Sequence, residues 1–343
     1  MQLVRQKGQK VSDGVDVQGW AAERVRPPVP ARPRARLRAR LRARVLLAAL
    51  LISALGSACA AQDEGGRGPA GAGGGGAEPA AGQQAQPPGT AAALSAYVEK
   101  VRRAQAARVL AARKWGLRSA PLAAPPPPAA GDKPHITFRQ GFGVGDPSLP
   151  PVFTTVPTKE RIVFLTIDDG ADKDPELLRM MDELDIPYSA FLSDYLVKED
   201  YGYFKRMQDR GVALHNHTLN HRYMPALSYA EQKREICGQQ DTIEKRYGKR
   251  PPLFRPPYGN YNADTLRAAR ACGVKAVPLW AAEAFPDHME WREWDRDLHP
   301  GDIILTHFRG REDWNGSMAD MIRQVMNVVT AKGYAVARLE DYV

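Results

Sequence analysis

Cysteine and long apolar runs are what this 343-residue chain has least of. The uncharged apolar run at residues 45–55 is eleven residues long and contains one serine, well short of the ~20 residues that cross a bilayer as a helix. The three cysteines are Cys59, Cys237 and Cys272. So few exclude a small disulfide-built scaffold, and no Cys or His stands at ligand spacing beside Cys237 or Cys272 to make a thiolate zinc site. These two form an even pair, either bridged or buried as separate thiols. Net charge is also missing once the first 44 residues are set aside. Those residues hold twelve Lys and Arg against three acids, which accounts for the whole +9 of the chain. From Ser119 onward, 28 basic residues face 32 acidic ones, so the part able to fold carries no nucleic-acid footprint.

What is present begins with an Arg-rich run at 32–44, followed by the apolar run and by small residues around Cys59. Basic, apolar, then small is the order of an export signal, here residues 1–61. Cys59 after Gly-Ser-Ala suits a lipoprotein signal, and Ala58-Cys59-Ala60 equally suits an ordinary small-x-small cleavage site. The product would be an exported protein at the cell surface, either a membrane-anchored lipoprotein or secreted. Residues 62–93 are Gly, Ala, Pro and Gln with no means of building a core, which reads as a disordered spacer. A basic helix is expected over 94–118, either solvated within a tether or held near an anionic wall polymer or lipid surface. A Pro-rich linker at 119–150 would lead into a domain at 151–343, with folding starting between Asp132 and Thr158.

Within that domain, short apolar runs alternate with amphipathic stretches. Strands are expected at 162–167, 188–192, 212–215, 253–255, 274–279, 302–306 and 335–338. Helices are expected at 174–184, 200–210, 228–247, 263–272 and 318–332, with Ser228 and Glu231 forming a capping box. Such alternation indicates an α/β fold, a parallel barrel or an open sheet. The polar clusters favour the barrel, because Asp168, Asp169, His217, His221, Arg255 and His307 all fall at C-terminal strand ends, which a barrel gathers at one mouth.

Asp168 and Asp169 are adjacent acids at a buried strand end. They repel unless a cation lies between them, so one suits a ligand and the other a base. His217 and His221, four apart, would face the same way on one helical turn. With Asp169 they make a two-imidazole, one-carboxylate set that leaves coordination positions open, as a catalytic divalent ion requires; Zn²⁺ is the default, with Co²⁺ or another divalent ion as the alternative.

The segments TIDDG, HTLNH, RPPYG and LTH, in this order from about residue 161 to the C-terminus, resemble the motifs of the polysaccharide deacetylases, the NodB-homology group also called carbohydrate esterase family four. The resemblance implies a distorted (β/α) TIM-like barrel that removes N-acetyl groups from amino sugars of a cell-wall or extracellular polysaccharide. By the same resemblance Asp168 is the general base, Asp169, His217 and His221 hold the metal, Arg255 steadies Asp168, and His307 is the general acid. The Tyr258 N–H would hold the oxyanion, and Leu305 would line the acetyl pocket. One segment departs from the family: LWAAEAFPD places Glu283, Pro286 and Asp287 where an Asp-x-x-Asp-Trp segment is common, so either Glu283 or Asp287 is expected to brace Arg255. Trp280, Phe285, Trp291, Trp294 and Trp314 are candidates for stacking on sugars. The partner is then a polysaccharide, with no nucleic acid, a tether through the N-terminal region to membrane or wall, and a monomeric state. The competing readings are a silent carbohydrate-binding module on the same fold, and an O-acetyl esterase or small-molecule amidase.

Overall fold

The structure, a computed structural model, describes residues 90–136 and 146–343. The expectations for the export signal, for Cys59 and for the spacer as far as Gly89 lie outside the described residues. In chain order the elements are α1 (Thr90–Lys114), β1 (Val152–Phe153), β2 (Ile162–Asp169), α2 (Pro175–Leu184), β3 (Ser189–Leu192), α3 (Asp194–Val197), α4 (Tyr201–Asp209) and β4 (Ala213–Asn216). They continue with α5 (Tyr229–Tyr247), α6 (Ala263–Ala271), β5 (Val277–Pro278), β6 (Ala282–Ala284), β7 (Met289–Trp291), β8 (Ile303–His307), α7 (Met318–Ala331) and β9 (Ala335–Ala337).

Local chemistry sets the helix ends. Asp174 caps α2 through Glu176 N–H with Pro175 at the first helical position, and Ser228 and Glu231 form the expected capping box of α5. Ser317 and Asp320 do the same for α7.

A seven-stranded sheet in the order β4-β3-β2-β8-β6-β7 is the frame, with β9 also paired to β2. All these pairings are parallel except β6 with β7. The sheet closes on itself: β4 bridges Phe254, Leu253 bridges Ala276, β5 pairs with β1, and β1 reaches the start of β8 through Thr154 and Thr155. The result is a distorted (β/α) barrel. β3 and β9 share one edge of β2, its upper and lower halves, so the wall is irregular there. Two expected strands are shortened by proline, which donates no ladder hydrogen bond. Residues 253–255, between Pro251-Pro252 and Pro256-Pro257, make only single bridges, and 274–279 contracts to β5, which ends at Pro278. The β6–β7 hairpin and α3 were not expected, because elements of three or four residues show no period.

Alternation along the strands separates two environments. Val163, Leu165 and Ile167 face the covering helices together with Leu177, Met181, Ile322 and Val325. Phe164, Phe191, Leu253, Ile303 and Tyr342 pack in a second cluster inside the barrel. Also buried there, His215 on β4 meets Glu340 at 2.7 Å, which ties the C-terminal turn to the barrel floor.

The basic helix is real but is not simply tether. Ala111, Ala112 and Leu117 are buried in the core. Lys114 and Trp115 bond Glu183, Arg108 pairs with Asp185, and Arg323 bonds the Trp115 carbonyl. The compact part therefore begins inside α1, upstream of the boundary that the Pro-rich segment suggested.

Cys237 and Cys272 are joined in a disulfide that links the middle of α5 to the residue ending α6. This settles the choice between a bridge and two thiols. Closing a loop of 35 residues restricts the unfolded chain, so the C237S/C272S variant is expected to be less stable by about 4 kcal/mol, read as a lower urea midpoint.

Candidate metal centre and the residues around it

β2 and β8 run side by side with Asp168 opposite His307, so two of the predicted residues are neighbours through strand register alone. Asp168, on the inward face, is buried. Asp169 should point the other way, since successive strand residues alternate. It does not, because its φ of 78° breaks strand geometry and carries the carboxylate to the mouth. Gly170 follows at φ 95°, and a Cβ there would come 2.4 Å from Val197 Cγ1.

His217 and His221 are brought together, though not on a helical turn as expected. Residues 217–221 form a loop in which Thr218 and His221 have φ of 72° and 51°. Asn216 accepts from Thr218 N–H, the Thr218 hydroxyl accepts from His221 N–H, and the buried Glu235 accepts from Asn220 N–H and its side-chain amide. Of the six non-glycine residues with positive φ among the described residues, Asp169, Thr218, His221 and Tyr258 all belong to this mouth. Such conformations cost on the order of 1–3 kcal/mol each and persist where the surroundings enforce them.

Asp169 Oδ1 lies 3.4 Å from His217 Nε2 and 3.2 Å from His221 Nε2. It is buried and has no hydrogen-bond partner. Two ligands at ~2.1 Å from one ion in tetrahedral geometry stand about 3.4 Å apart, so these spacings fit a shared metal ion. The ligand atoms of the three residues all fall within 4.8 Å of one another. His217 Nδ1 lies 2.7 Å from the Arg255 carbonyl; donating its proton there leaves Nε2 free to coordinate. Burial opposes ionisation of Asp169, but the two imidazoles outweigh it and hold the carboxyl well below its usual range. Burial likewise opposes charge on His217, yet Asp168 and Asp169 together raise its pKa.

Arg255 is fully buried and is the largest such side chain among the described residues. Its Nη1 donates to Asp168 Oδ1 at 2.7 Å and to the Thr166 hydroxyl at 2.9 Å. Its Nε donates to the Pro278 carbonyl and its Nη2 to the Leu279 carbonyl, while the guanidinium lies 4.3 Å from the Phe191 ring centre. Burial lowers its pKa against the pull of Asp168. Besides Asp168, its hydrogen-bond partners are thus main chain and one hydroxyl, and Glu283, one of the two acids expected to brace it, acts on it through charge without a hydrogen bond. Asp287 is exposed and bonds His288. Glu283 instead stands beside His307, Oε1 to Nδ1 3.4 Å.

Burial, Glu290 and Asp168 push Glu283 up to about 7, and burial pulls His307 down.

Sequence reasoning missed Arg309, whose Nη2 reaches Asp169 Oδ2 at 3.1 Å from just beyond His307. The Tyr258 ring stands edge-on to His221, and Leu305 lies one inward position below His307. Trp280 covers Gly259, where a Cβ would meet its ring at 2.9 Å. Trp314 is 6.4 Å from His307 between ring centres and contacts Phe285, so both rim the mouth. Trp291 packs on the helix-side core beneath Lys332, and Trp294 is exposed on a turn; the structure brings neither to these residues.

Removing the cation while Asp168 stays ionised and buried is costly: R255M should lose about 3–5 kcal/mol of stability by urea unfolding. D168N/R255M should regain part of that loss, giving a coupling above ~1 kcal/mol in the double-mutant cycle. A pKa raised in the folded state means stability falls as pH rises from ~4.5 to ~7. In chelator, wild type should lose up to roughly 3 kcal/mol across that window relative to E283Q, read from urea midpoints at each pH.

Comparison with known proteins places these residues in context. The family profile described as polysaccharide deacetylase matches residues 155–277. An uncharacterised protein of Streptomyces coelicolor is 39% identical over 195 residues, 57% of this chain and 78% of that protein. A peptidoglycan-N-acetylglucosamine deacetylase of Bacillus cereus is 28% identical over 46% of this chain and 77% of its own length. A peptidoglycan-N-acetylmuramic acid deacetylase of Bacillus subtilis is 24% identical over 54% and 72%. Among solved structures, a carbohydrate esterase family 4 pseudoenzyme from Bacillus anthracis superposes with a TM-score of 0.49 at 22% identity, covering 56% of this chain and 69% of that one. With the acid pair, the HTLNH loop, RPPYG and LTH assembled at one barrel mouth, the chain belongs to the polysaccharide deacetylases, the NodB-homology group or carbohydrate esterase family 4.

Proposed function

We propose that this protein is a metal-dependent hydrolase that removes N-acetyl groups from amino sugars of a cell-wall polysaccharide, peptidoglycan or a chitin-like polymer, and that it acts outside the cell. The observation that carries this reading is the placing of Asp168 and His307 on adjacent strands, on either flank of the Asp169, His217 and His221 set, each with its own partner. Relatives named as deacetylases of peptidoglycan and of chitooligosaccharide support the substrate class.

Asp169, His217 and His221 would hold the ion, Zn²⁺ by the nature of the donors. When bound, it supplies Lewis acidity toward the amide carbonyl and makes water easier to deprotonate. Asp168, kept in place by Arg255, takes the proton of the water that adds to the carbonyl carbon. The Tyr258 N–H and the positive end of Arg309 offer favourable electrostatics to the oxygen that gains charge. The C–N bond then breaks as His307, with Glu283 beside its Nδ1, protonates the departing amine. The products are acetate and the free amino sugar. Leu305 lies below His307 where a methyl would fit, and Trp314 and Phe285 offer faces to a sugar ring.

The test is acetate release by the full chain from peptidoglycan, chitin oligomers and acetylxylan. Activity on the first two that chelator abolishes and added Zn²⁺ restores is expected, with D168N lowering kcat at least about 100-fold while still binding metal, and D169A losing metal. Activity indifferent to both chelator and D168N would sink the mechanism. Release from acetylxylan alone would replace the amide by an ester as the scissile bond.

A further inference from the structure

α1 is 25 residues long, and the barrel uses less than half of it. Arg108, Val109, Ala111, Ala112 and Trp115 are buried or half-buried against the domain. Toward the N-terminus, the same face continues as Leu94, Tyr97, Val98 and Val101, all exposed. The spacing of three, four and seven makes these four one stripe, and eighteen residues, five full turns, carry Leu94 onto Ala112 and Tyr97 onto Trp115. A docking face thus runs on past the surface it docks to.

Lys114 pairs with Glu183 in the last turn of α2, and Arg108 with Asp185 just beyond that turn. α1 therefore leaves the barrel at the end where strands begin, opposite the mouth. On the helical wheel Lys100 and Arg102 flank the stripe on its two sides, with Arg103 behind. The acid in this half, Glu99, is tied to Arg103 at 2.9 Å. No helix among the described residues is long and apolar enough to cross a membrane. A short apolar stripe bordered by cations whose stems can reach along it, with an aromatic among its members, has the chemistry of a helix lying in the headgroup layer of a bilayer.

We propose that the free half of α1 rests on an anionic lipid surface, with Leu94, Tyr97, Val98 and Val101 in the headgroup boundary and Lys100 and Arg102 against lipid phosphates. Charge complementarity selects this occupant. A second copy of the chain would set the cations of one stripe beside those of the other, whereas a surface of phosphodiesters neutralises both flanks. The arrangement turns the barrel mouth away from the membrane, and it stands whether or not the deacetylase reading holds.

Hydrogen exchange of the full chain read at residues 94–104 tests it, in buffer, on phosphatidylcholine vesicles and on vesicles containing phosphatidylglycerol. The apolar run at 45–55 is present in every sample, so the local readout separates α1 from it. Slowing by roughly tenfold is expected on the anionic vesicles alone, reduced in 0.5 M salt, weakened in K100E/R102E and lost in V98D/V101D. V98D/V101D should keep the wild-type unfolding midpoint, because both side chains are exposed. Unchanged exchange on anionic vesicles to which the chain is bound, or equal slowing on both lipids, overturns the proposal. Protection that rises with protein concentration without vesicles overturns it in favour of a second copy.

Discussion

The ion pair between Asp168 and Arg255 is the interaction on which the mouth depends. Both groups are buried, and a charge in that position is tolerable only if every one of its hydrogen-bonding atoms is answered. Arg255 meets the condition by spreading its donors over Asp168, Thr166 and the carbonyls of Pro278 and Leu279, which join strand segments from different parts of the chain. Its own carbonyl receives His217. One residue therefore fixes the orientation of the candidate base and of a candidate metal ligand together, and neither can shift without disturbing the other.

Arg255 also marks a level in the barrel. Below it lie Phe164, Leu253, Ile303 and Tyr342; above it are Asp168, His217 and His307. The guanidinium lies against Phe191, so its faces are closed to water while its edge is used. In this environment burial penalises a second negative charge, and with Glu290 and Asp168 it pushes Glu283 up to about 7 against the opposing pull of Arg255 and Arg309.

Much of the architecture was legible, for physical reasons. The five long helices of the domain and the central strands carry full periods of apolar residues, and the site residues sit at strand ends that any parallel barrel gathers. Other features were hidden. The brace of Arg255 consists mostly of backbone carbonyls, which every residue possesses, so no side-chain pattern could reveal it. Glu283 was recognised as departing from the family pattern, but the one-dimensional motif cannot say that it stands against His307 and reaches Arg255 only through charge. The docking of α1 escaped because Ala111 and Ala112 are small and are surrounded in sequence by arginines. The HTLNH loop looked helical by spacing, and the left-handed backbone of Thr218 and His221 shows otherwise.

The conformation of Asp169 bears on which side chain that position can hold. For one residue the chain takes the hand natural to a D-amino acid. Glycine would take it without resistance but would bring no carboxylate. Glutamate would bring the charge, but its longer side chain meets the left-handed backbone less well and reaches too far. Asparagine tolerates the turn as well as aspartate does, and would leave two imidazoles facing a neutral oxygen. Handedness and charge are separate demands, and aspartate is the residue that answers both.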